Sequence, residues 1–486
     1  GFRFLNQDGD GCDSQIWNSN HYSRLWLYNL HYFDDLNAVN STERSSWHNN
    51  LVKRWIRENP PGYGVGWEPY PLSLRIVNWI KWILSENAVD HSIRNSLAIQ
   101  ARYLYERIEY HIMGNHLFTN AKALLFAGCY FEGEEAEQWL ERGMKILEKE
   151  IPEQILADGG HFERSPMYHA LAYEDMLDLT NLAVVFHRAF TKWQMLISTW
   201  PLKVERMGEW LKTMCHPDKE ISFFNDAATN ISPTPDELFN YAKRLGHVIS
   251  DLDQDVVWLK DSGYIRVERN NVVLLIDVAP VGPDYLPAHA HADTLSYELS
   301  VNRQRVVVNS GTSCYGLDSQ RERERSTAAH STMEINGQNS PEVWAGFRVA
   351  RRAYPFDITI HSKDDCVIVE AAHDGYRHLP GCPVHRRRWV LGCGYLDVID
   401  VVDGRFTIAI SRVHFHPTIK IKRDGIQGSV NWEGNILHWK ADCAEIIEES
   451  SQWHPEFGVI VQSCCLAQHV NKNSPQPYCK FSLTWN

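Results

Sequence analysis

No stretch of this sequence approaches the ~18 consecutive apolar residues of a membrane-spanning helix, so no span is expected. It also lacks any Cys-x-x-Cys pair or zinc-finger spacing. Its eleven cysteines are irregularly scattered between Cys12 and Cys479, and they read as mostly free buried thiols, with disulfides in the C-terminal half left open. No strict repeat or low-complexity tract is visible, so the chain is not a repeat array. Nor is there a surplus of positive charge. The net charge of −13 argues against a nucleic-acid partner, yet a basic cleft on an acidic surface could still take an anionic polysaccharide. The sequence from Gly1 opens on no leader-like apolar segment, and its location is open, a periplasmic or secreted one being favoured if a leader was trimmed before Gly1. Oligomeric state cannot be read from the sequence.

What is present is length and aromatic content. At 486 residues the chain exceeds the ~250–300 at which one hydrophobic core stops growing, so two domains are expected. Eighteen Trp and 20 Tyr exceed ordinary usage. Most of these rings belong in a core, but flat aromatic faces also line sugar-binding clefts, which leans the reading towards a glycan ligand.

The hydrophobic period changes once. Between about Trp47 and Leu245, apolar residues recur at helical spacing, as in Leu72, Ile76, Trp79, Ile80 and Ile83. Further helices are predicted over 134–147, 168–189 and 193–214, and helical hairpins joined by loops would give this pattern. After about Asp251 the period becomes two, in short runs such as Val272–Val278, Arg305–Asn309, Cys366–Glu370 and Tyr395–Asp400. Many short strands separated by turn signals indicate an antiparallel β-sandwich. The expected organisation is a helical domain over 1–250 followed by a β domain over 251–486.

Four polar clusters carry candidate chemistry. Asn115 and His116 lie before a predicted helix from about Asn120, where either Asn115 or Thr119 could simply be an N-cap. Asp158-Gly159-Gly160-His161 leads through Ser165 and Pro166 to Tyr168, whose phenol could face a cleft or merely cap a core ring. His289 and His291 share one face if their segment is extended, making a metal or acid–base pair, or two idle surface rings. Near the start, Asn29, His31, Tyr32, Glu68, Tyr70 and Arg75 mix rings with polar groups suited to sugars, although helix packing explains many of them. Arg164 and the run Arg321–Arg325 could meet sulfate or carboxylate, but such charged runs are usually solvated faces.

These segments, in order, resemble the heparinase II/III-like superfamily of polysaccharide lyases. The resemblance rests on Leu25–Phe33, Gly114–Leu117, Asp158–Phe162 with Ser165–His169, His289–Asp293, and Asn309–Thr312 with Arg325–His330. It implies a multidomain α + β chain, an N-terminal (α/α) toroid followed by an antiparallel β-sandwich. It also implies β-elimination on a uronate-containing polysaccharide, a glycosaminoglycan before alginate, with Asn115, His116, Tyr168 and His289 around the scissile sugar. In that chemistry a neutraliser stabilises charge building on the uronate carboxylate. Asn115 fits that role, with His289 or His116 beside it. A base removes the C5 proton and an acid protonates the departing O4. Tyr168 is the expected acid. In glucuronate or mannuronate it could also be the base; in iduronate or guluronate His116 or His289 would take the proton.

The same resemblance implies one structural divalent ion, zinc before manganese or calcium, held by His291 and His330. Asn309 stands where the family typically has Asp, which should weaken affinity, and His373 is a substitute ligand. Two other readings stay open. A metal-assisted glycan hydrolase would give saturated products. A non-catalytic glycan-binding or polysaccharide-assembly protein would have no turnover to lose.

Overall fold

A computed structural model describes residues 1–85, 90–363, 365–470 and 477–485. The chain falls into two compact units, Gly1–Gln154 with Asp175–Pro201, and Ile155–Glu174 with Leu202–Asn486.

The first unit is helical, with helices Arg24–Tyr32, Ser45–Glu58, Pro69–Leu84, His91–Tyr105, Gly114–Tyr130 and Glu134–Gln154. The last two form a hairpin whose closeness depends on two glycines. A Cβ on Gly128 would lie 2.8 Å from the Ala136 carbonyl, and one on Gly143 would lie 2.9 Å from that of Ala121. Any larger residue would push the backbones apart. Tryptophans fill the interior: Trp55 and Trp79 meet edge-on at 5.6 Å, and Phe33 packs against Trp79 at the same distance. The buried cation Lys122 is compensated by Asp175 at 2.6 Å and by Asp178, which also takes Lys81 at 2.6 Å.

Two sequence expectations shift here. The Asn115 helix begins at Gly114 rather than near Asn120, its cap position is Met113, and no side chain caps it. The helix predicted over 193–214 is two pieces, Gln194–Ile197 and Trp200–Thr213. Pro201 falls at the break: without an N–H and with a bulky ring, it sits readily in the first turn of Trp200–Thr213 and disfavours carrying the preceding helix through it.

The second unit holds a sandwich of antiparallel sheets. One layer has eight strands, in the order Pro355–Lys363, Cys366–His373, Val384–Gly392, Tyr395–Asp403, Tyr478–Thr484, Asn435–Asp442, Gln427–Trp432 and Lys420–Asp424. Opposite lie a five-stranded meander from Val256–Leu259 to Gln304–Val307 and a four-stranded sheet centred on Val461–His469 and Ala409–His414. Val307 bridges Phe415, joining the last two. Inward side chains of all three, among them Leu274, Ile276, Trp389, Leu391, Val413, Leu466 and Phe481, form one core. Helical segments after Leu202 pack with this unit: Arg266 donates to the carbonyls of Thr213 and Cys215, and Trp210 Nε1 donates to Ser262 Oγ at 2.8 Å. All eleven cysteines are free.

A buried ion pair crosses the sandwich. Arg387 holds Asp400 through two bonds, Nε to Oδ1 at 2.6 Å and Nη2 to Oδ2 at 2.9 Å. Its Nη1 donates to the carbonyls of Leu295 at 2.8 Å and Ser331 at 2.7 Å, and Asp400 also meets Ser411 Oγ and His385 Nε2. Removing one member of such a pair strands the other charge out of water. Arg387→Ala should therefore destabilise the protein by about 3–5 kcal/mol, read as a fall in the urea unfolding midpoint.

Candidate functional site

The site residues of the second unit are assembled by the turn that leads into the helix Pro166–Val185. Gly159 takes φ +90°, and a Cβ there would strike the Arg206 carbonyl, so the turn requires glycine. Asp158 pins the turn, accepting from Ser262 N at 2.7 Å and Ser262 Oγ at 2.9 Å. Ser165 then starts the helix: its Oγ accepts from Tyr168 N at 3.2 Å, and Pro166 follows at the position where a missing N–H costs nothing. The same Ser165 hydroxyl donates to the backbone carbonyl of Asp226.

Asp226 is the hub. Its carboxylate is fully buried and receives both arms of Arg321, Nη2 at 2.7 Å and Nη1. His289 Nδ1 lies 2.9 Å from Oδ2, His291 Nε2 lies 2.8 Å from Oδ1, and Thr312 Oγ1 lies 3.3 Å from Oδ1. Against the cost of burial, Arg321 and the two imidazoles hold Asp226 well below the usual carboxylate range. A carboxylate only accepts, so each imidazole turns an N–H towards it, and that fixes both tautomers. His289 and His291 thus share one carboxylate from a loop rather than from a strand. Asp226 N in turn donates to the His289 carbonyl at 2.9 Å.

His289 then presents a defined face. Its ring stacks on Tyr168 at 3.8 Å, and its Nε2 lies 3.7 Å from Glu163 Oε2. The Tyr168 hydroxyl is 3.0 Å from the hydroxyl of Tyr315. The Tyr315 ring sits under the Arg321 guanidinium at 5.0 Å and packs edge-on against Phe347 and Phe457. Burial, reinforced by the Asp226 charge, raises the Tyr315 phenol well above its ordinary value. Two phenols in contact, one held firmly protonated, beside a tautomer-locked imidazole, form an arrangement suited to moving a proton.

Sequence reasoning missed Asp226, Tyr315 and Glu163. Only Asp226 carried a signal: it is the one charged residue in the run Ile221–Ala228. Arg321 and Arg325 are corrected outright. Their charged run is no solvated face; both side chains are buried, Arg325 donating to the Ala290 carbonyl. Arg164 also points inwards, with Nε donating to Ser262 O at 3.1 Å, and burial lowers its pKa.

Of the residues assigned to a metal, the two imidazoles meet directly. His291 Nδ1 and His330 Nε2 face each other at 3.2 Å. Burial lowers their pKa values to about 4 and about 3, so both are neutral. Because His291 turns Nε2–H to Asp226, its Nδ1 presents a lone pair towards His330. The Asn309 amide is engaged at both ends, donating to Ser296 Oγ at 3.2 Å and accepting from Ser331 N at 3.3 Å. His373 belongs elsewhere, 3.2 Å from His385. Among the described residues no group of three or more His, Cys, Asp or Glu could hold a metal ion.

In the first unit, half-buried Asn115 and His116 gather around Tyr70. Asn115 lies beside the Tyr70 phenol, His116 stacks on its ring at 4.2 Å, and His116 Nδ1 is 3.2 Å from Glu109. Glu68 takes Tyr28 and Arg24, and Tyr32 meets Tyr70 edge-on. Asn29 bonds back to Leu25 O in its own helix. His31 and Arg75 are core residues instead of sugar contacts. His31 Nε2 donates to Trp17 O, its Nδ1 accepts from Trp55, and burial pushes it down to about 3. Arg75 lies over the Trp55 ring at 3.9 Å and bonds Gln100.

Comparison with known proteins adds family information. Residues 7–245 match the family model for the heparinase II/III N-terminus, and residues 252–478 match that for the heparinase II/III-like C-terminal region. The chain is 26% identical over 321 residues to a heparin-sulfate lyase of Pedobacter heparinus, covering 59% of this chain but only 47% of that protein. It is 23% identical to FtsZ-localized protein C of Caulobacter vibrioides, covering 98% of this chain and 84% of that one. A crystal structure of heparinase III superposes with a TM-score of 0.76 at 18% identity, covering 99% of this chain and 79% of that one. The last likeness shows the fold expected from the sequence, an α/α toroid with an antiparallel β-sandwich.

Beside Tyr168, His169 yields a pH prediction. Its Nε2 donates to Met207 O at 2.9 Å, its Nδ1 accepts from His161 N at 3.2 Å, and burial lowers it to about 3. The unfolded chain would titrate near ~6.5, so this histidine's contribution is complete above that pH and is lost as pH falls towards the folded value. Denaturant midpoints between pH 7 and 4 should decline less steeply in His169→Gln, by up to about 1.4 kcal/mol per pH unit.

Proposed function

We propose, because this chain belongs to the heparinase II/III-like family, that it is a polysaccharide lyase acting by β-elimination on a uronate-containing glycosaminoglycan. Heparan sulfate, hyaluronate and chondroitin are the first candidates and alginate the next. The observation that carries this reading is the pairing of the Tyr168 and Tyr315 hydroxyls at 3.0 Å, with His289 stacked on Tyr168 and fixed by Asp226.

In this reading Tyr168 delivers the proton to the departing O4. Tyr315, whose phenol keeps its proton, donates to the Tyr168 oxygen and so lowers the cost of negative charge there. Where C5–H and O4 share a face, Tyr168 takes the C5 proton and passes it to O4. Where they lie on opposite faces, His289 or His116 takes it; in His289 the acting atom is Nε2, the nitrogen turned away from Asp226. Asn115 supplies an amide donor to the uronate carboxylate, as the resemblance assigns. No step runs through a metal ion.

A second reading has its own support. FtsZ-localized protein C, which matches nearly the whole chain, is not named as a lyase. A non-catalytic glycan-binding protein on this scaffold would show no turnover.

A panel of heparan sulfate, hyaluronate, chondroitin sulfate and alginate, followed by ultraviolet absorbance of unsaturated uronate, separates the readings. The lyase reading expects absorbance to grow with at least one polymer; none with any of them would end it, and saturated products would indicate hydrolysis. Tyr168→Phe should lower kcat by roughly 10²–10⁴ while substrate still binds. Tyr315→Phe should keep some turnover, with its pH profile displaced to higher pH.

A further inference from the structure

The last four strands of the eight-stranded sheet carry a groove of about 610 Å³ on their outer side, lined in part by Lys422, Arg423, Gln427, Ser429, His438 and Lys440. Strand alternation sets which side chains face it. Leu437, Trp439 and Ala441 are buried in the sandwich core, so their neighbours His438 and Lys440 point out and are exposed. Pairing registers then align two rows across the four strands. One runs Lys422, Ser429, His438, Thr484; the other runs Asp424, Gln427, Lys440, Ser482. At ~4.8 Å between strands each row spans about 14 Å, the reach of a short oligosaccharide.

The charge of this face opposes that of the chain, whose net value is −13. Nearby Lys480 is neutralised by Asp397 at 2.9 Å. Among the described residues Lys422 and Lys440 form no ion pair, and Asp424 is the only acid lining the groove. Cations stand next to hydroxyls and a carboxamide, which pairs anionic groups with sugar hydroxyls along one line. Trp439 is 2% exposed and the lining holds no other Trp, Phe or Tyr, so there is no platform on which a nucleobase could stack.

We propose that this groove is an accessory binding site for a sulfated or carboxylated oligosaccharide segment, separate from the Tyr168 centre. The choice of a uronate polymer as its ligand rests on the lyase reading. Holding one stretch of a polymer there raises the effective concentration of its other stretches.

The test uses the full chain carrying Tyr168→Phe, so that polymer is not consumed, and measures heparan sulfate binding by titration calorimetry at low and high salt. Lys422→Glu with Lys440→Glu should weaken binding by roughly tenfold or more, with the loss smaller in high salt. The same reversal at exposed Lys145 and Lys149 should leave affinity unchanged. Unchanged binding in the groove variant, or equal loss in the control, would overturn the proposal. So would duplex DNA binding with the same affinity and the same dependence on Lys422 and Lys440, since that marks a general polyanion surface. Failure of the lyase reading would show separately, as wild-type protein that binds but makes no unsaturated product.

Discussion

The carboxylate of Asp226 is the constraint from which the candidate centre follows. An isolated buried carboxylate would cost several kcal/mol, so this one exists only because a guanidinium and two imidazoles meet it. Those partners are thereby fixed as well. Arg321 is held over Tyr315, His289 is locked in one tautomer against Tyr168, and His291 is turned towards His330. Ser165 links the carbonyl of the same residue to the first turn of the helix that carries Tyr168. One acid therefore sets the positions of the phenols and the imidazole together.

Arg387 and Asp400 form a second buried pair with a different effect. Its members lie on neighbouring strands of one sheet, while the groups that complete their bonding, Leu295 O and Ser411 Oγ, come from the opposite layer. A pair satisfied from both layers tolerates little sliding of one over the other. Apolar packing of the same core would be less particular about register.

The sequence carried the features that depend on local periodicity. The change from helical to alternating spacing is realised between Arg244, where the last long helix ends, and Val256, where the sandwich begins. Ser165, Pro166 and the Gly159 turn place Tyr168 in a first helical turn, as their residue types require. Features that depend on distant partners were not legible. Arg321 belongs to a run that looks solvated, and its burial is explained only by an acid 95 positions away. His31 and Arg75 had the composition of a sugar site, yet their polar atoms are spent on Trp17, Trp55 and Gln100. Asn309 illustrates the reverse. Its departure from a carboxylate was visible at once, but that its amide is committed to Ser296 and Ser331 is a property of the folded chain.

The order of the centre's parts along the chain limits how the protein can be dissected. Glu163, Ser165 and Tyr168 come first, then Asp226, then His289 and His291, and finally Tyr315 and Arg321, each on a separate segment. Arg321 is steadied by the Gly346 carbonyl and the Phe347 ring, and the Gly159 turn needs Ser262. A fragment that keeps the cluster whole must therefore run from before Asp158 to beyond Phe347. A cut at the helix-to-sheet boundary near residue 250, the natural place to divide such a chain for expression, would separate the tyrosine from its histidine.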